Sequence, residues 1–314
     1  MQTDSFFLIS KYDGARLAVS TICHDSPRFC LQITHGMAEH RKRYIPFMEY
    51  IASLGGACIV SDMRGHGETS APADYGYFGA DGVAATLADL HQIGDVLRFK
   101  YPGLPMILLG HSMGSLVARA YAAERDEYLS ALILSGEASN NPAVGAGLLL
   151  TRLMALFRGE RHISPLVANL ATGAYDNSFR AEAAGGEKYL WLSANRENRA
   201  AYNADPACGF PFTLNGYDTL FSFMKRAYAP RHYNVRNKNM PILFLSGEDD
   251  PVMGSKKAFA DAVRFLQDMG YRDVRAGLYP GMRHEILMET DRGKVQEDIR
   301  LFLEEVLAKS AQTT

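Results

Sequence analysis

Short apolar runs alternate with amphipathic stretches along most of this 314-residue chain, and the alternation breaks once. Strands are read at residues 6–10, 15–23, 29–34, 57–61, 106–109, 129–135, 242–246 and 274–279. Helical periodicity falls between and after them, at 43–54, 81–100, 114–124, 256–269 and 293–309. The stretch 81–100 carries Val83, Leu87, Leu90, Ile93 and Leu97 on one face. Such alternation predicts an α/β protein: a mostly parallel sheet with helices on both faces. The break covers residues 137–235, which are helical and aromatic with no convincing strand. A crossover between parallel strands needs only about 30 residues. The surplus therefore predicts a mostly helical, movable cap inserted before the strand at 242. The expected organisation is a core over 1–136, a cap over 137–235 and the rest of the core over 236–314.

Charge excludes one class of partner. Lys and Arg total 33 against 35 Asp and Glu, a net charge of −2, so no broad field attracts nucleic acid. The four cysteines, Cys23, Cys30, Cys58 and Cys208, form no Cys-x-x-Cys pair and are read as free thiols of a reducing compartment. No apolar run reaches the 18 or so residues of a membrane span. The early run at 6–9 is too short for a secretory signal. A soluble, cytoplasmic protein is expected.

The strongest local signal is Gly110-His111-Ser112-Met113-Gly114, between a strand and a helix. A sharp strand-to-helix turn exposes its serine above the sheet edge, and the helix dipole favours negative charge beside it. A serine hydroxyl needs a base, and the base needs an orienting acid. Loops after later strands supply both in the order acid, then histidine. The strand at 242–246 runs into Gly247-Glu248-Asp249-Asp250-Pro251, and the last strand into Pro280-Gly281-Met282-Arg283-His284. His284 is the only histidine after His232. The acid lies between Asp249 and Asp250. Pro251 favours Asp250, because a residue before proline is held extended. An oxyanion needs two backbone N–H donors. Met113 follows the nucleophile, and Met37 lies in His35-Gly36-Met37-Ala38-Glu39-His40 after the third strand. Glu39 and His40 are read as loop packing, and neither they nor His35 has metal-ligand spacing. No metal and no cofactor is expected.

These motifs, with Arg43-Tyr44, Asp62-x-Arg64-Gly65-His66-Gly67-x-x-Ser70 and His284-Glu285, resemble the monoacylglycerol lipase and lysophospholipase branch of the α/β-hydrolases. That branch overlaps the group labelled serine aminopeptidase. Two departures are Ala38, where many members have glycine, and Thr69, where many have serine. The resemblance implies the α/β-hydrolase fold and a triad of Ser112, Asp250 and His284. It also implies Met37 and Met113 as oxyanion donors, and a serine hydrolase of carboxylic esters. The substrate expected is a small-molecule ester or lipid, first a monoacylglycerol or lysophospholipid. A small-ester esterase, thioesterase or peptidase on the same triad stays open, and a non-catalytic binding module is the remote alternative.

The cap carries no such motif. Residues 144–157 form an amphipathic pattern with a broad apolar face, and 210–224 are aromatic-rich. His111, Leu149, Phe212 and Phe221 are the expected substrate contacts. The cap is also the surface expected to touch membranes transiently.

Overall fold

The computed structural model describes residues 2–183 and 187–311, so the cap expectation at 184–186 and the core expectation at 1 and 312–314 lie outside it. Eight strands form one sheet in the order β1-β2-β4-β3-β5-β6-β7-β8. They are β1 (Thr3–Ile9), β2 (Arg16–Cys23), β3 (Phe29–Thr34), β4 (Gly56–Ser61), β5 (Met106–His111), β6 (Ala131–Ser135), β7 (Ile242–Gly247) and β8 (Val274–Tyr279). β1 and β2 pair antiparallel, as do β2 and β4, and every later pairing is parallel. The central strands are apolar at nearly every position because both faces are covered.

Side chains alternate across the sheet. Cys30, Leu108, Leu132, Leu134 and Phe244 join the core that holds α2 (Gly82–Lys100), α3 (Met113–Arg125) and α8 (Lys256–Asp268). Leu31, Ile107, Leu109, Ile133 and Leu245 face α1 (Ile45–Ser53) and α9 (Gly293–Ala311). Each such side chain contributes about 1.5–3 kcal/mol on full burial.

The cap lies between β6 and β7, and among the described residues it contains no strand. It comprises α4 (Val144–Arg158), α5 (Pro165–Asn177), α6 (Arg196–Ala204) and α7 (Leu214–Ala227). Three of these helices start on side-chain caps: Ser164, Asn195 and Thr213 accept from the amides of Val167, Glu197 and Gly216. Such caps satisfy otherwise orphaned N–H groups and stabilise a helix start by about 1 kcal/mol. α7 is the cap's anchor, sharing the sheet core through Leu214, Tyr217, Leu220 and Phe223. The returning chain is back on the core by Asn234, whose amide bonds the Ala123 carbonyl at 2.7 Å.

Candidate active site

The parallel strands deliver their C-terminal ends to one edge of the sheet, beneath the cap. Ser112 follows β5 there with φ 54° and ψ −120°, a conformation that costs a non-glycine residue free energy. The turn survives because glycines flank it. A Cβ on Gly110 would run into the Gly114 carbonyl, and one on Gly114 into the Thr34 carbonyl. The Ser112 amide bonds Ser135 of β6 at 2.9 Å, and its carbonyl accepts from the Ser115 amide at 2.9 Å in the first turn of α3.

The loops after β7 and β8 bring Asp250 and His284 together. His284 Nδ1 lies 2.9 Å from Asp250 Oδ2, and both side chains are buried. Ser246 Oγ donates to the same carboxylate oxygen at 3.2 Å, and the Val252 amide donates to Oδ1 at 2.8 Å. Burial alone would lower the His284 pKa. The Asp250 charge and hydrogen bond, with Glu285 and Glu39 behind them, outweigh burial and raise it. Asp249 is exposed, and its amide donates to the Met282 carbonyl at 3.0 Å. His111 lies against His284 with ring centroids 4.8 Å apart. Burial and that neighbour push its pKa down to about 4, so it is neutral near pH 7.

The loop after β3 has its amides assigned one by one. Gly36 N–H donates to Glu39 Oε1 at 2.5 Å and Ala38 N–H to His66 Nε2 at 3.2 Å. Between them the Met37 amide has no acceptor among the described residues. The Met113 amide is the first of α3, so it too is one of the N–H groups a helix start leaves without an intrahelical partner. Glu39 is held in turn by the Tyr44 hydroxyl at 2.8 Å and by Arg43 at 2.5 Å. Arg43 also bonds both oxygens of Glu285, at 2.6 and 2.8 Å. Burial would raise the Glu39 carboxyl; Arg43, His111, His35 and the Gly36 amide hold it well below the ordinary range.

Two cavities meet at the serine. One, of about 320 Å³, is lined by Leu116, Val144, Gly147, Leu150, Leu170, Phe221 and Met224 among others, with Met37, Ser112 and Met113 at its end. The other, of about 170 Å³, is lined by Glu39, His111, Asp176, Tyr189, Tyr202, His284 and Glu285, again with Met37 and Ser112. Thr172 and Trp191 belong to both, and the Trp191 ring lies 5.1 Å from that of His284.

Residues 25–291 match the family model described as serine aminopeptidase, S33. The chain belongs to that family. The S33 family places it in the α/β-hydrolase superfamily, in the branch that holds the monoacylglycerol lipases. The chain is 28% identical over 291 residues to a monoacylglycerol lipase of Mycolicibacterium smegmatis, covering 91% of this chain and 92% of that one. It is 26% identical over 275 residues to a human monoglyceride lipase, covering 84% and 78%. Among solved structures, a thermostable carboxyl esterase from Bacillus coagulans with bound glycerol superposes with a TM-score of 0.87 at 25% identity. That match covers 98% of this chain and 99% of the esterase.

Two expected cap contacts of this S33 chain lie elsewhere. Leu149 is 61% exposed and faces outward from α4. The cavity takes Val144, Gly147 and Leu150 instead, since helical side chains share a face at spacings of three and four. Phe212 is fully buried in the seam between cap and sheet. Its ring packs 5.3 Å from His66, 5.5 Å from Phe78 and 5.7 Å from Tyr217, so it is core rather than cavity wall. Phe221 lines the apolar cavity and His111 the polar one. Sequence reasoning did not single out Thr172, Asp176 or the Arg43–Glu285 pair. Only the pair had a signal, since Arg43 and Glu285 stand inside matched motifs. His40 bonds Asp205 of the cap at 2.9 Å, as loop packing requires.

Proposed function

We propose that this ester hydrolase is a serine enzyme that works through an acyl-enzyme, and that its substrates are esters of long apolar acids, monoacylglycerols foremost. One observation carries the reading: Ser112, on a strained turn, stands where an apolar cavity meets a polar one lined by the Asp250-bonded His284. The acyl chain takes the apolar cavity and the alcohol takes the polar one. Ser112 Oγ attacks the ester carbonyl carbon while its proton passes to His284 Nε2. Asp250 holds the ring by Nδ1 and stabilises its charged form. The oxyanion accepts from the Met37 and Met113 amides. The tetrahedral adduct collapses, the C–O bond to the alcohol breaks, and His284 returns the proton to the leaving oxygen. Water then repeats the sequence on the acyl-enzyme and releases the acid.

The named relatives support this chemistry, being monoacylglycerol lipases, with a carboxyl esterase as structural neighbour. The outer cap adds a proposed role. Leu149, Leu156, Phe157 and Leu166 are exposed on α4 and α5, the same helices that line the apolar cavity. That face is proposed to meet a lipid surface transiently; no described helix is long and apolar enough to cross a membrane.

The test combines labelling with a chain-length series. A fluorophosphonate is expected to label Ser112 and to fail with Ser112→Ala. Each methylene buried in the cavity contributes about 0.8 kcal/mol, so two added carbons raise kcat/KM roughly tenfold until the cavity is full. A profile highest at acetate, or faster cleavage of amino-acid amides than of decanoyl esters, would refute the lipid reading.

A further inference from the structure

The two cavities differ in charge as well as in polarity. Among the described residues no acidic or basic side chain lines the apolar one. The polar one is lined, among the described residues, by three carboxylates, Glu39, Asp176 and Glu285, and by no Lys or Arg. Arg43 sits behind two of them and is shared between Glu39 and Glu285, leaving that trio one negative charge in excess.

Asp176 adds another from the cap, near the C-terminal end of α5. Its Oδ1 accepts the Tyr189 amide at 3.1 Å. Tyr189 itself holds a left-handed conformation at φ 58°, and its hydroxyl donates to the Gly209 carbonyl at 3.0 Å. A strained residue tied at both ends thus fixes the carboxylate in the cavity wall. Among the described residues the cation that acts on Asp176 is Lys188; both side chains are exposed, so solvent and salt screen that pair.

We propose that Asp176, backed by the Glu39–Arg43–Glu285 cluster, makes this cavity reject anionic leaving groups, so that the enzyme prefers acyl esters of neutral or cationic alcohols and handles phosphate-bearing lysolipids poorly. The proposal rests on the alcohol occupying the polar cavity. A phosphate there would meet a surplus of like charge in a site partly closed to water, where such juxtaposition is costly. A glycerol would find carboxylate oxygens as hydrogen-bond acceptors. Asp176 is therefore a specificity-determining residue, and takes no part in the bond-breaking steps.

The experiment measures kcat/KM for three esters of one ten-carbon acid, each kept monomeric: decanoylglycerol, decanoylcholine and decanoylglycerol 3-phosphate. The phosphate is expected at least about tenfold below the glycerol ester at low salt, with the gap narrowing as salt screens the charges. Asp176→Asn keeps an acceptor for the Tyr189 amide and removes the charge. It is expected to raise the phosphate-to-glycerol ratio about threefold or more, and Asp176→Lys to raise it further. The choline-to-glycerol ratio should move the opposite way. A merely structural role would lower all three esters together and leave both ratios fixed, which would overturn the assignment. Equal wild-type kcat/KM for all three esters overturns the charge filter alone. Failure to cleave any of them overturns the hydrolase reading and the filter built on it. The wild-type salt dependence tests the filter without any variant.

Discussion

Asp250→Asn is the most discriminating single change, because its hydrogen bonds dictate which way the amide must turn. Oδ1 accepts the Val252 amide at 2.8 Å, and Oδ2 faces His284 Nδ1 at 2.9 Å and Ser246 Oγ at 3.2 Å. An asparagine keeps the Val252 bond only with its carbonyl oxygen at the Oδ1 position. Its NH2 group then points at His284 Nδ1 and donates to it. The ring must accept at Nδ1 and carry its proton on Nε2, the nitrogen that should take the proton of Ser112. An amide in this position costs about 10⁴ in kcat, or about 5 kcal/mol of transition-state stabilisation. Asp249→Asn is the control: it is exposed and touches the site only through its backbone. A loss below about threefold is expected there, the range of a surface substitution. The assay is decanoyl-ester turnover by purified variants whose melting temperatures match the parent. If Asp249→Asn is the more damaging, or if Asp250→Asn keeps more than a tenth of wild-type turnover, the tautomer argument and the choice of acid both fall.

The raised His284 pKa places the acid limb of the pH–rate profile above 6.5, activity falling as pH drops and the imidazole takes up a proton; in Asp250→Asn the limb should move to lower pH, and an unmoved limb would contradict the pairing. Gly114→Ala should lower stability by about 3 kcal/mol in a denaturant titration, since its Cβ has no room beside the Thr34 carbonyl. Ala38→Gly should raise stability by about 1 kcal/mol by the same measurement, because Ala38 sits at φ 51°, a conformation glycine adopts freely; destabilisation would show that the strain is not felt. Leu156→Ser with Phe157→Ser should reduce flotation with lipid vesicles and lower the ratio of vesicle-borne to monomeric substrate turnover, since these side chains are 79% and 86% exposed on the outer cap; unchanged flotation would refute the docking face.

Much of the sheet was legible because period-two and near-continuous apolar runs report burial directly. The strands over 29–34 and 274–279 match residue for residue, and the others agree within a few residues. Ser112, His284 and the pair Asp249–Asp250 were legible for a related reason. Strand-end loops carry chemistry, and each of these loops begins where a recognisable apolar run stops. The cap resisted the same treatment. Its helices bury narrow faces against one another, and a pattern that marks a buried face does not say what covers it. Phe212 and Phe221 are alike in type and nine positions apart, yet one is core and the other cavity wall. Arg119 shows the opposite failure. A charged residue in the middle of α3 reads as a solvated position, but it is fully buried. Its cost of desolvation is offset by Glu137, by the Ala227 carbonyl at 2.8 Å and by the Tyr228 ring at 4.2 Å. Those partners are 18 and 108 or so positions away in the chain, beyond the reach of any local pattern.

The same long-range contacts decide what part of the cap is free to move. Sequence gave reason to expect one movable cover over 137–235. The histidine loop instead grips one stretch of it, residue by residue. Arg283 donates to the Leu190 carbonyl at 2.7 Å, the His284 amide to that of Trp191 at 3.4 Å, and the Glu285 amide to that of Leu192 at 2.7 Å. Glu289 accepts from the amides of Ala194 and Asn195 at 2.8 and 3.0 Å, and Asn198 donates to Glu285 at 2.6 Å. Moving this stretch would break bonds that also position His284, so an opening motion that spared the triad would have to leave it in place. Among the described residues α4 carries no comparable tie to the triad loops and packs on α7, whereas α5 is joined to the gripped stretch at its C-terminal end, where Asp176 accepts the Tyr189 amide at 3.1 Å and the Tyr175 ring lies 5.1 Å from that of Trp191. α4, which bears the exposed Leu149, Leu156 and Phe157, is thus the helix whose displacement would uncover the apolar cavity while His284, Asp250 and the Met37 loop stay in register. The proposed entry from a lipid surface and an intact triad then require no compromise between them, because separate parts of the insertion would serve each.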